Sequence, residues 1–176
     1  AETRPVERAL WHAALARAYS PVQNGYRALG KWTLKEMEER SHQHFLLSLE
    51  HPEMLRQVHT DRYLPLWTEG KESRYFGHDL LHVVARSARE SGVLTAREKA
   101  DSYRRELAVY RRAGRIDAVL WLTLDSLQEF PHEGSQNIAL ENDARYRELL
   151  ALLEKSQGCE TRYRIFEELI ALRGRY

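Results

Sequence analysis

Cysteine is nearly missing from this chain: Cys159 is the only one in 176 residues. A lone cysteine excludes an internal disulfide framework and fits a reducing cytosol, so a cytoplasmic setting is expected. The surrounding Ser156-Gln-Gly-Cys-Glu160 reads as a turn between helices, with no histidine beside the thiol to activate it. No apolar run approaches the length of a membrane span, and no signal-peptide pattern opens the chain. The first residue is Ala, which is compatible with a trimmed chain that has lost a targeting segment. A charge excess is missing too. With 27 Lys and Arg against 26 Asp and Glu, the formal charge of +1 exerts no overall pull toward nucleic acid or membrane. Five prolines and nine glycines are few, and the prolines stand at segment edges, which favours helices with short connections. Strand-like alternation, internal repeats and low-complexity segments do not occur.

What is present is helical period. Hydrophobic content of 43% and charged content of 30% fit a globular protein, and the length suits one domain over 1–176. The expected fold is all-α, a bundle of six to eight helices. A first helix runs from Pro5 to about Tyr19, with Val6, Leu10, Trp11, Ala14, Leu15 and Ala18 as its stripe. Thr33-Leu-Lys-Glu36 and Thr95-Ala-Arg-Glu98 are capping boxes, opening helices to about Glu50 and Ala113-Gly114. Leu34, Met37, Phe45 and Leu49 mark the buried side of the former. Pro52 restarts the chain through about His59, and a further helix spans Ser73 to Ser91-Gly92. Ile116 to Phe130 is apolar nearly all round and belongs at a centre. Asn142 and Thr161 cap the last two helices, and Trp121, Leu124, Phe166 and Ile170 are expected in the core. Leu64 to Gly70 and Phe130 to Asn137 read as loops, the second a rim for a cleft.

Chemical suggestion concentrates in Tyr75-Phe-Gly-His78-Asp79-Leu-Leu-His82. On a continuous helix, positions four apart project from one face, so His78 and His82 could grip one metal ion, with Asp79 as ligand or orienting carboxylate. The competing reading is a solvated polar face: both histidines fall opposite Phe76, Leu80, Val83, Val84 and Ala88. Asp125, inside the apolar helix, needs either a metal or an Arg partner. His42 and His44 cannot share an ion with each other, because positions i and i+2 diverge. Glu39-Arg-Ser-His42 and Asp79-Leu-Leu-His82 have the spacing of half a dinuclear carboxylate site. The basic helix with Arg104, Arg105, Arg111 and Arg112 carries only Tyr103 and Tyr110 as aromatics, so direct nucleic-acid binding is not expected.

His78-Asp79-Leu80-Leu81-His82 resembles the His-Asp-x-x-His of the coenzyme Q biosynthesis protein of mitochondria and bacteria. That resemblance implies an all-helical protein whose metal set is completed by a downstream Glu. The family's Glu position corresponds to Leu94 here, so Glu98, one turn further on, is the nearest substitute. It also implies an aromatic or isoprenoid substrate, taken through oxidative decarboxylation or simply bound. A second resemblance is to HD-domain phosphohydrolases: His51 or His44, then His78-Asp79, then Asp125 stand in that order. There a metal would activate water against a phosphate-bearing substrate, which a chain with 22 arginines could hold.

The leading expectation is therefore a helical metalloenzyme, with His78, His82 and Glu98 as ligands and Asp79 and Asp125 in catalytic roles. Zinc, iron or manganese would be its divalent ion. The alternatives are a non-enzymatic interaction module, such as an adaptor, inhibitor or immunity-type protein, and a small-molecule or lipid binder without chemistry.

Overall fold

The computed structural model describes residues 5–22, 24–25, 27, 30–63, 73–130 and 143–174. The loops expected at Leu64 to Gly70 and Phe130 to Asn137, and the cap expected at Asn142, lie wholly or mostly outside the described residues. The all-α expectation holds. Nine α-helices occur among the described residues, seven of them with more than six residues, and no strand does. The chain divides into two compact units, 1–114 and 115–176.

In the first unit, α1 (Pro5–Tyr19) packs on α2 (Leu34–Ser48). The buried face of α1 is Ala9, Leu10, Ala13 and Ala16, while Trp11 is 66% and Leu15 39% exposed. This corrects the expected stripe. Alanines let two helix backbones approach closely, and the Ser41 hydroxyl of α2 donates to the Ala16 carbonyl at 2.8 Å. A Trp on that face would hold the helices apart. Both capping boxes form, with Thr33 and Thr95 each accepting from the Glu three residues on. Leu34 sits at the first position of α2 and is exposed, whereas Met37 and Phe45 are fully buried.

After α2 come α3 (Pro52–Arg56), a 3-10 turn (Thr60–Tyr63), α4 (Ser73–Phe76), α5 (Leu80–Glu90) and α6 (Ala96–Arg112). Ala16, Phe45, Ala88 and Leu94 make one buried cluster, with Leu49 and Val93 packed against it. Gly92, at φ +77, ends α5 as its position predicts.

The second unit comprises α7 (Ile116–Glu129), α8 (Ala144–Lys155) and α9 (Cys159–Arg173). Asp143 caps α8, its carboxylate accepting from the Arg145 and Tyr146 backbone N–H groups. Leu120, Leu124, Leu149, Leu152, Ile165 and Leu172 form this unit's core. Trp121 and Leu124 are buried as expected, but Phe166 is 44% and Ile170 71% exposed. Ile165, Leu169 and Leu172 stand at i, i+4 and i+7 on one face of α9, and packing that face inward turns Phe166 and Ile170, each about 100° further round, toward the outside. No helix among the described residues is long and apolar enough to cross a membrane.

Candidate functional site

The helix expected from Ser73 to Ser91 is broken where its chemistry was placed. Gly77 and His78 both adopt left-handed backbone, at φ 70 and φ 55. For a non-glycine residue this conformation costs on the order of 1–2 kcal/mol. Backbone bonds from the 58–60 segment compensate it: Thr60 N–H donates to the His78 carbonyl at 2.9 Å, and Leu80 N–H donates to that of Val58 at 3.0 Å. The Thr60 hydroxyl adds a further bond to the His78 carbonyl. Asp79 then serves as N-cap of α5, accepting from His82 N–H at 3.2 Å.

His78 and His82 are consequently not one turn apart on a common face. His78 stands outside α5, its ring against that of His59 at 5.5 Å. His82 is 2% exposed, not on a solvated polar face. Its Nδ1 lies 3.1 Å from Glu106 Oε1, and its ring lies 3.5 Å from that of Phe76, nearly parallel. Glu106 Oε2 accepts from Arg89 Nη1 at 2.5 Å, and Arg89 also reaches the Ser102 hydroxyl. The Tyr110 hydroxyl donates to Asp79 Oδ1 at 2.8 Å. Asp79, His82, Arg89 and Glu106, all buried, thus join α5 to α6.

Charge is distributed unevenly in this network. Burial pushes Glu106 upward, but the Arg89 charge and the His82 bond outweigh it and hold the carboxyl below its ordinary range. Among the described residues Asp79 has no guanidinium partner. Burial raises its pKa from 3.8 to about 6, against the lowering effect of the Tyr110 and His82 bonds and with a further rise from Glu106. His82 Nε2 is buried without a hydrogen-bond partner among the described residues.

The other expected ligands are engaged elsewhere. Glu98 closes its capping box by accepting from the Thr95 backbone N–H at 2.9 Å, and its other carboxylate oxygen accepts from His42 Nε2–H at 2.9 Å. Burial works against it, yet the Thr95 and His42 bonds keep its carboxyl below the usual range. Asp125 meets Arg164 at 2.5 Å, the Arg-partner alternative, and Arg164 also lies over the Trp121 ring. Among the described residues no group of three or more His, Cys, Asp or Glu side chains is placed to hold a metal ion. The donor set His78, His82 and Glu98 does not fit a shared ion in this arrangement. No protein-family model, curated protein or solved structure matches the chain.

Beside the network lies a cleft of about 410 Å³ between α2, α5 and α6. Leu46, Leu47, Leu49, Leu81, Ala85 and Leu94 form its apolar walls, and Ser102 and Glu106 contribute its buried polar atoms. Glu50, Glu98 and Asp101 stand around it with Arg105 as the one basic lining residue. Glu106, Arg89 and Ser102 were not among the expected site residues. Their signal was there: Ser102, Tyr103, Glu106, Leu107 and Tyr110 share one helical stripe, so Glu106 sits among residues that face inward.

Proposed function

We propose that the first unit is a non-enzymatic binding module for a small amphipathic ligand with an apolar body and a cationic head. The cleft between α2, α5 and α6 carries this reading. Its volume of about 410 Å³ falls within the range of small-molecule sites, and leucine walls with a few polar groups are the usual composition of such sites. The head-group preference follows from the lining: four carboxylates, Glu50, Glu98, Asp101 and Glu106, face one Arg105. Glu106 is already matched by Arg89 and His82, and Asp101 by Arg104. Glu50, exposed at the mouth, forms no ion pair among the described residues and is the carboxylate left to meet an ammonium group.

Binding without turnover is favoured by the state of the cleft's acid. A general base works best with a pKa near the working pH, whereas Glu106 is held ionised by a neighbouring guanidinium. Asp79, the carboxyl with a pKa near neutrality, is not part of the cleft lining.

The test is thermal denaturation with hexyl-, octyl- and decylammonium, each below its micelle concentration, against the carboxylates of equal chain length. Ligand that binds only the folded state raises Tm. The ammonium series should raise Tm progressively with chain length and the carboxylates should not. Glu50→Gln should reduce the rise, and Gln43→Trp, at an exposed lining position, should abolish it. Equal effects of both head groups would defeat the cationic assignment, and no effect of either would defeat the binding reading.

A further inference from the structure

Away from the cleft's lining, two imidazoles from different helices meet at their nitrogens. His12 of α1 and His44 of α2 place Nδ1 against Nδ1 at 3.0 Å, across 32 residues of sequence. The ring centroids are 5.1 Å apart, so the two rings approach through these nitrogens rather than through their faces. Tyr19 lies almost parallel to the His44 ring, with 11° between planes and the centroids 5.9 Å apart. Both rings are only partly covered by protein, which leaves solvent a path to the pair.

One Nδ1–H donating to the other Nδ1 satisfies both Nδ1 atoms when the rings are neutral. The same two lone-pair positions can instead face a cation, once the donating ring moves its proton to Nε2. We propose that His12 and His44 form a two-histidine site for a borderline divalent transition ion such as zinc(II) or copper(II), joining α1 to α2. Zinc–nitrogen distances of about 2.0–2.1 Å at a tetrahedral angle separate two ligand nitrogens by about 3.3 Å. Only a few tenths of an ångström of opening and a turn of the rings are needed. Water would complete the coordination, in keeping with the absence of any third donor grouped with the pair among the described residues.

The neighbouring charges set the site's strength. Burial first, then the His12 and Arg40 charges, lower the His44 pKa. Arg40 also repels a divalent ion, but its guanidinium stacks on Trp32 at 3.7 Å and is held there. Protons compete for the same nitrogens, so binding weakens with acid.

The experiment is calorimetric titration of zinc(II) and copper(II) into protein carrying no affinity tag, at pH 7.5 and 5.5. It uses wild type, His12→Ala, His44→Gln and the control His51→Ala. Copper(II) electron paramagnetic resonance on the first equivalent counts imidazole nitrogens. Wild type and the control should bind one ion per chain equally, with two imidazole nitrogens in the copper spectrum. Each pair variant should bind at least tenfold more weakly while keeping its helical circular dichroism. The His44→Gln variant keeps a hydrogen-bonding group in place, so a folding loss in His12→Ala would not obscure the result. A loss smaller than tenfold in a folded pair variant, or a single coordinated imidazole in wild type, overturns the proposal. Its outcome is independent of the cleft, since neither histidine lines it.

Discussion

Replacing Asp79 by Asn should stabilise the protein at neutral pH, although it removes a buried, hydrogen-bonded carboxylate. Burial raises the Asp79 pKa from 3.8 to about 6, a difference of about two units. At 1.36 kcal/mol per unit this is about 3 kcal/mol of folded-state penalty on the ionised form. The sign follows from proton binding. Between pH 4 and 6 the folded state holds the Asp79 proton more tightly than the unfolded state does, so this group's contribution is present at low pH and lost as pH rises through about 6. Asn keeps the cap, for which Asn and Asp rank alike, and keeps an oxygen for the Tyr110 hydroxyl to donate to. The charge goes, and an amide NH2 takes the place of the second carboxylate oxygen. Asp79→Asn should therefore be more stable than wild type by about 2–3 kcal/mol at pH 7.5. At pH 4.5 the gap should shrink to about 1 kcal/mol, because most folded chains there already carry a protonated Asp79. Glu106 titrates in the opposite sense, but it does so in both proteins and largely cancels from the difference. Urea denaturation at the two pH values measures the gap. A less stable Asp79→Asn protein at pH 7.5, or a gap that does not change with pH, would refute the assignment of charge in this network.

Glu106→Gln should cost on the order of 3–5 kcal/mol, because it leaves the buried Arg89 guanidinium without its counter-charge; a denaturant midpoint close to wild type would show that the pair does not hold α5 on α6. Leu124, fully buried in the second unit's core, should lose roughly 2–5 kcal/mol on truncation to Ala, with a loss under about 1 kcal/mol placing α7 at the periphery. Ile170→Ser, at a position 71% exposed, should stay within about 0.5 kcal/mol of wild type, and a larger loss in the same titration would mean that this face of α9 is covered. Thr95→Ala should cost about 1 kcal/mol through loss of the capping box, checked by thermal melting.

The helical architecture was legible because its signals are local. Both capping boxes stand where Thr-x-x-Glu placed them, α1 has the bounds that Pro5 and Ser20-Pro21 suggest, and Gly92 ends α5. The phase of exposed faces was less legible. In α1 the largest apolar residue, Trp11, looked like core, but close packing on α2 selects alanine, a preference set by the neighbouring helix. The metal reading of His78 and His82 depended on helical continuity, and Gly77 before His78 with Asp79 after it is a stop followed by a start. That pair of signals was readable and outranked the i, i+4 spacing. The His82–Glu106 and His12–His44 contacts join residues 24 and 32 positions apart. No local pattern encodes such pairings, which depend on how the helices meet.

The central claim is that the cleft between α2, α5 and α6 takes an amphipathic cation. Amide chemical-shift mapping with octylammonium, on wild type and Gln43→Trp, tests it most directly. Saturable shifts should concentrate at Leu46, Leu47, Leu81, Ala85 and Leu94, the cleft's apolar walls, and should vanish in the blocked variant. Shifts that persist in Gln43→Trp, that fall mainly within 115–176, or that fail to saturate would contradict the account.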